Sequence, residues 1–117
     1  VPVVDDYYSG MIVTFPVYTK LMNKKMSPEE LRDAYARFYE GEQFIHVMPF
    51  GAEEEVHSFF SANAYSGRDD ACIYVTGNDD RILVSSIFDN LGKGASGAAI
   101  QWMNIRLGYP EEKGLCL

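Results

Sequence analysis

Two apolar runs, 71–76 and 81–88, flank the tetrapeptide Gly77-Asn78-Asp79-Asp80. The runs are rich in β-branched and aromatic residues, and the tetrapeptide is turn chemistry, so the pair predicts a β-hairpin. Neither strand has a polar face. Ile73 and Val75 oppose Cys72 and Tyr74, and Ile82 and Val84 oppose Leu83 and Ile87. Such a hairpin must be covered on both sides. Helices can cover one side; the other needs a further sheet or a second subunit. A chain of 117 residues has room for one core of this kind and not two.

The flanking segments supply further layers. From Met11 to Thr19, Met11, Val13, Phe15 and Val17 alternate with Ile12, Thr14, Pro16 and Tyr18, which predicts a strand. Pro16 has no N–H to donate, so it calls for an edge or a bulge. Ser27-Pro28-Glu29-Glu30 is a capping box with proline at the first helical position. Leu31, Ala34, Tyr35, Phe38 and Tyr39 then recur at helical spacing, and Gly41 is a fitting stop. Residues 43–48 read as a short strand, with Phe44, His46 and Met48 on one face and Ile45 and Val47 on the other. Residues 55–60 read as a weaker strand and 61–70 as a loop. A last helix is expected from about Gly94 to Leu107, with Ile100, Trp102, Met103, Ile105 and Leu107 forming a wide apolar arc.

Charge and cysteine usage exclude several classes. The net charge is −7 and the densest basic cluster is Lys24-Lys25, which argues against nucleic-acid binding. No apolar run approaches the ~20 residues of a membrane helix. The acidic pairs and triplet, Asp69-Asp70 among them, fall in loop-like places and read as solvated. None has calcium-loop spacing, so no metal site is assigned. Cys72 and Cys116 make no disulfide framework; Cys72 reads as an inert buried thiol, and the expected compartment is the reducing cytoplasm. His46 and His57 stand alone and read as structural or surface residues. A start at Val1 suggests processing or a trimmed chain.

The chemically suggestive stretch is Asp89-Asn90-Leu91-Gly92-Lys93-Gly94-Ala95-Ser96-Gly97, between a strand and a helix. Glycines allow close backbone approach, and a helix start favours negative charge. As a self-sufficient dinucleotide loop it fails, because no second strand follows with an acidic residue at its end. Two readings remain open: small residues that let the helix pack closely, or a loop that completes a site built elsewhere.

Residues 89–108 from Asp89-Asn90-Leu91-Gly92-Lys93-Gly94-Ala95 through Trp102-Met103-Asn104 to Gly108, with Glu112 and Gly114-Leu115, resemble the C-terminus of N-acetyl-gamma-glutamyl-phosphate reductases. Gly10-Met11-Ile12-Val13-Thr14, Tyr39-Glu40-Gly41-Glu42-Gln43-Phe44-Ile45 and Asn63 extend the resemblance over almost the whole chain. The resemblance implies an α+β fold, a mostly antiparallel sheet with helices on one face, like the C-terminal domain of glyceraldehyde-3-phosphate dehydrogenase. It implies one domain over 1–117, with 92–108 a closing helix that packs on an NADP-binding domain outside this chain.

That family reduces an acyl phosphate to a semialdehyde with NADPH, in arginine biosynthesis. Its cysteine nucleophile lies in a Gly-Cys-Tyr-Pro-type motif and its base is an upstream histidine; neither motif is present here. This chain is therefore expected to be inactive alone, to serve as the subunit-assembly and substrate-side domain, and to form a dimer or tetramer. Asn90 is expected to contact the nicotinamide carboxamide, with a helix cap as its alternative. Lys93 and the Gly94 N–H are expected to favour phosphate charge, with a solvated lysine as the alternative. Ser9 stands where the family usually has arginine, Gly92 replaces an apolar residue, and Ala98 a frequent glutamine. The competing function is a non-catalytic homodimerisation or small-ligand-binding module.

Overall fold

The computed structural model describes residues 1–117. Five strands, β1 (Pro2–Val3), β2 (Met11–Tyr18), β3 (Ile45–Val47), β4 (Ala71–Gly77) and β5 (Arg81–Phe88), form one sheet in the order β1-β2-β5-β4-β3. Only β3 runs parallel to its neighbour. Two helices, α1 (Pro28–Phe38) and α2 (Gly97–Leu107), complete the α+β architecture.

The hairpin forms where the apolar runs and turn residues demand. The Asn78 side-chain oxygen accepts the N–H groups of Asp80 and Arg81 at 3.0 Å each. Gly77 has φ +116°, and a Cβ there would strike the Arg81 carbonyl, so the turn needs glycine. The hairpin supplies the two most buried strands, and β5 takes the centre of the sheet. β2 pairs along β5 from Met11↔Phe88 to Tyr18↔Arg81, whereas β1 pairs only with Ile12 and Val13. Pro16 thus lies where β2 has a single neighbour, and its missing N–H disrupts no outer ladder.

α1 begins at the capping box: Glu30 N–H donates to the Ser27 hydroxyl, and Ser27 N–H donates to the Glu30 carboxylate. Leu31, Tyr35 and Tyr39 pack on Ile73, Val75, Ile82 and Val84, along with Val17, Ile45 and Val47. Ile12, Cys72 and Ile87 form a second cluster on the opposite side of the strands, covered by Met48, Phe60, Ala62 and Tyr65. This cover is a loop layer. It leaves Leu83 and Tyr18 exposed at the other end of the same face.

Two segments differ from the sequence reading. Residues 55–60 are not a strand. Gly51 (φ +85°) opens a 3-10 turn over Ala52–Val56, and His57 and Ser58 both have positive φ. The left-handed backbone at His57 and Ser58 interrupts any extended run, and buried Ala52 anchors the preceding turn instead. The last helix does not start as α. Residues 92–96 wind as a π turn, with Gly94 N–H on the Asp89 carbonyl and Ser96 N–H on the Leu91 carbonyl, before α2 runs to Gly108 (φ +73°). α1 alone lies on the sheet face. α2 leaves from the end of β5, and Trp102, Met103, Ile105 and Leu107 stay exposed, Trp102 at 70%. No helix is long and apolar enough to cross a membrane.

Candidate functional site

Three segments converge where β5 ends: 9–10, 62–67 and 89–92. Asp89 ties them together. One carboxylate oxygen accepts the Ser9 hydroxyl at 2.8 Å and the Gly67 N–H; the other accepts the N–H groups of Leu91 at 2.7 Å and Gly92 at 3.1 Å. Burial opposes the charge on Asp89, but these four donors outweigh it and hold the carboxyl below its ordinary pKa. Ser9 thus contributes a hydroxyl to an internal knot.

Gly10 (φ +115°) packs so closely on the neighbouring loop that a Cβ would lie 2.6 Å from the Asn63 Cα. Its N–H donates to the Asn90 side-chain oxygen at 2.7 Å. Asn90 therefore fastens the Gly10 turn and does not cap the following helix. Its oxygen is fixed, and its amide nitrogen makes no hydrogen bond within the chain.

Lys93 and Gly94 are engaged more deeply. The Lys93 ammonium donates to the Gln101 side chain at 2.6 Å and lies 4.9 Å from the centre of the Phe44 ring. Gln101 in turn donates to Glu111 at 2.6 Å. Burial pulls the Lys93 pKa down, against the opposing pull of Glu111 and Asp69. Lys93 is therefore not a freely solvated lysine. The Gly94 N–H is used by the Asp89 carbonyl at 2.8 Å, although the residue itself is exposed.

The glycines of this loop have a packing reason. A Cβ on Gly92 would come 2.5 Å from the Arg68 carbonyl oxygen, and one on Gly97 would run into the Asp69 carboxylate and lie 2.8 Å from the Gly92 carbonyl carbon. Of the two readings left open, close packing accounts for Gly92 and Gly97. Gly97→Ala is expected to destabilise the fold by about 1–3 kcal/mol, because overpacking exceeds the gain in helix propensity. Urea unfolding checks this, and an unchanged or higher midpoint would refute it.

Asp69 and Asp70 are not solvated loop charges. Asp69 N–H donates to the Cys116 carbonyl at 2.6 Å, and its carboxylate accepts the Cys116 N–H at 2.9 Å, pinning the C-terminal segment. Asp70 is fully buried and accepts both Arg68, at 2.7 Å through Nε, and His46, at 2.8 Å. Burial raises the Asp70 pKa, but the Arg68 and His46 bonds bring it below normal. The charge-run rule missed these roles. The available signal was position, since the pair stands at the start of the apolar run Ala71–Val75.

The chain holds no paired nucleophile and base. Cys72 is buried, and burial pushes its thiol pKa up beyond what the Tyr65 hydrogen bond recovers. His46 is committed to Asp70, and His57 is exposed on a turn. What the region offers is a rigid strand end with one free amide donor, beside a helix with a bare apolar arc.

Residues 1–90 match the family model described as semialdehyde dehydrogenase, dimerisation domain, and the chain belongs to that family. It is 41% identical over 119 aligned positions to N-acetyl-gamma-glutamyl-phosphate reductase 2 of Nostoc sp., an alignment covering 98% of this chain and 37% of the relative. It is 40% identical, with the same coverage, to N-acetyl-gamma-glutamyl-phosphate reductase of Trichormus variabilis. It is 34% identical to that of Burkholderia cenocepacia, over 92% of this chain and 35% of the relative. The chain thus spans little more than a third of the length of the curated relatives it matches.

Proposed function

We propose that this chain is the C-terminal, subunit-assembling and substrate-side part of an NADP-dependent reductase. The full protein would convert N-acetyl-glutamyl phosphate to N-acetylglutamate semialdehyde in arginine biosynthesis. The names of the relatives support the reaction. The observation that carries the cofactor side is the Asn90 amide: its oxygen is locked by Gly10, so its nitrogen is left as a positioned donor at the strand end. That nitrogen would hold the nicotinamide carboxamide. Lys93 keeps ammonium protons beyond the one given to Gln101 and supplies positive potential at the helix start. The Gly94 N–H is already held by the Asp89 carbonyl, so attraction for phosphate charge would rest on Lys93. NADPH supplies the hydride when bound. The acyl-phosphate attack belongs to groups outside this chain, so the chain alone is expected to show no reductase activity.

The exposed arc of α2 would seat against an N-terminal NADP-binding domain, as the closing-helix reading requires. The family description supports assembly into a homo-oligomer. Two free cysteines suit the cytoplasm.

The test uses the chain extended by its own upstream coding sequence, assayed for acyl-phosphate-dependent oxidation of NADPH. Asn90→Asp keeps the oxygen that Gly10 needs and removes the donor. It is expected to raise KM for NADPH about tenfold, near the value of one well-placed hydrogen bond, with little change in Tm. An unchanged KM would remove Asn90 from the cofactor site. Micromolar binding of NADP by the 117-residue chain alone would favour the ligand-binding module instead.

A further inference from the structure

The outer edge of β2 is only partly paired. On its inner side the register with β5 runs unbroken from Met11↔Phe88 to Tyr18↔Arg81, so hydrogen-bonding direction alternates strictly along the strand. On the outer side β1 places Val3 opposite Ile12 and Pro2 opposite Val13. The ladder then goes one residue further. The Val1 nitrogen donates to the Thr14 carbonyl at 2.6 Å, and the Val1 carbonyl accepts the Thr14 N–H at 2.9 Å. Thr14 therefore bonds outward, and by alternation Pro16 and Tyr18 also face outward, while Phe15 and Val17 bond inward to β5. Pro16 has no N–H. Beyond Thr14 the edge thus offers the Pro16 carbonyl and both backbone groups of Tyr18.

That inventory decides what pairs there. A separate chain would have to order a whole strand and give up its free motion for very few bonds. Chain already tethered at Val1 bears no association cost, because it leaves the ladder in register and needs only to continue straight. The relatives have chain to supply it, since this one spans 37% of the first two. The register fixes each position. The residue immediately before Val1 falls opposite Phe15, the second opposite Pro16, the third opposite Val17 and the fourth opposite Tyr18. Cross-strand partners share a face. Phe15 shares its face with Val84, in the cluster on the α1 side, yet is 62% exposed.

We propose that the segment immediately before Val1 continues β1 in the plane of the sheet, as an edge strand alongside Phe15 to Tyr18. Its residue opposite Phe15 carries an apolar side chain that covers that ring. The ladder crosses Pro16 on one bond in place of two, so Pro16 admits this tethered strand and denies a free one a full template. The inference rests on the reading above only in requiring that the chain continue upstream.

Two cysteines test it in the upstream-extended chain, in a Cys116→Ser background. One replaces the residue immediately before Val1, and the other is Phe15→Cys. They form a non-hydrogen-bonded antiparallel pair, with Cα atoms about 4.5 Å apart and within disulfide reach. Mild oxidation is expected to join them within one molecule, as located by peptide mass spectrometry. Moving the upstream cysteine one residue further back turns it to the other face and is expected to cut the yield roughly tenfold or more. Amide exchange on the unsubstituted extended chain reads the same strand without a variant. Tyr18 is expected to be protected about as well as inward-facing Val17, where a bare edge would leave it faster by roughly a hundredfold. Equal yields from both cysteine positions, a disulfide found only between molecules, or an unprotected Tyr18 amide would overturn the proposal. The disulfide and the protection in an extended chain without reductase activity would support the strand and sink the reductase reading; an active extended chain with neither would do the reverse.

Discussion

Asp89→Asn is expected to cost the fold about 3 kcal/mol at pH 7, the scale of losing hydrogen bonds to a buried charge. In a chain of this size that lowers Tm by roughly 10–15 °C. The substitution preserves shape, so the loss isolates chemistry. The two carboxylate oxygens face only donors: the Ser9 hydroxyl and Gly67 N–H on one, the Leu91 and Gly92 N–H groups on the other. An asparagine amide has one acceptor and one donor, so in either orientation its NH₂ confronts N–H groups. The pH dependence carries a sign. Because the folded carboxyl titrates below its unfolded value, its stabilisation is complete above the unfolded pKa of about 4. It is lost as pH falls through the lower, folded value. The gap in Tm between parent and variant should therefore be widest near neutrality and shrink below about pH 4. A variant within 3 °C of the parent at pH 7, on the same roughly 10–15 °C scale, would show that the knot is not what holds the three segments.

The sheet was legible because its signals are local. Alternation located β2, turn chemistry located the hairpin, and the capping box located the start of α1 to the residue. The knot was not legible, because it joins residues 80 apart in sequence: Ser9 and Asp89, Gly10 and Asn90. A motif scan sees Gly92 and Gly97 as ligand-shaped glycines. Only the folded chain shows that Asp69 and Arg68 occupy the space their side chains would need. The same limit applies to charge. Asp70 reads as one more loop carboxylate until Arg68 and His46 are seen to converge on it in the interior. Residues 55–60 fail for a different reason: they leave a 3-10 turn through His57 and Ser58, whose left-handed backbone no strand continues.

Leu83→Asp is expected to convert a dimer of this chain into a monomer, with dimer dissociation strengthened at least about a hundredfold. Leu83 is 40% exposed, on the sheet face opposite α1. The loop layer covers Ile12, Cys72 and Ile87 at one end of that face but stops short of Leu83. There Leu83 and Phe60 border a hollow of about 380 Å³ with the hydroxyls of Thr14, Ser58, Thr76 and Ser85 and the Glu53 carboxylate at its rim, and Tyr18 is also exposed on β2. A two-fold axis through this region would set the same patch against itself, leucine and tyrosine at the centre and hydroxyls around them. Aspartate there leaves the monomer's core untouched but places two desolvated like charges across the axis, which burial makes costly. Light scattering across a concentration series reads the outcome, with circular dichroism confirming the fold. Trp102→Asp, on the bare arc of α2, is the counterpart. It should leave the dimer intact if, as proposed, that arc seats the cofactor domain. A monomeric Trp102→Asp beside a dimeric Leu83→Asp would reverse the two assignments, making α2 the subunit contact and freeing the sheet face.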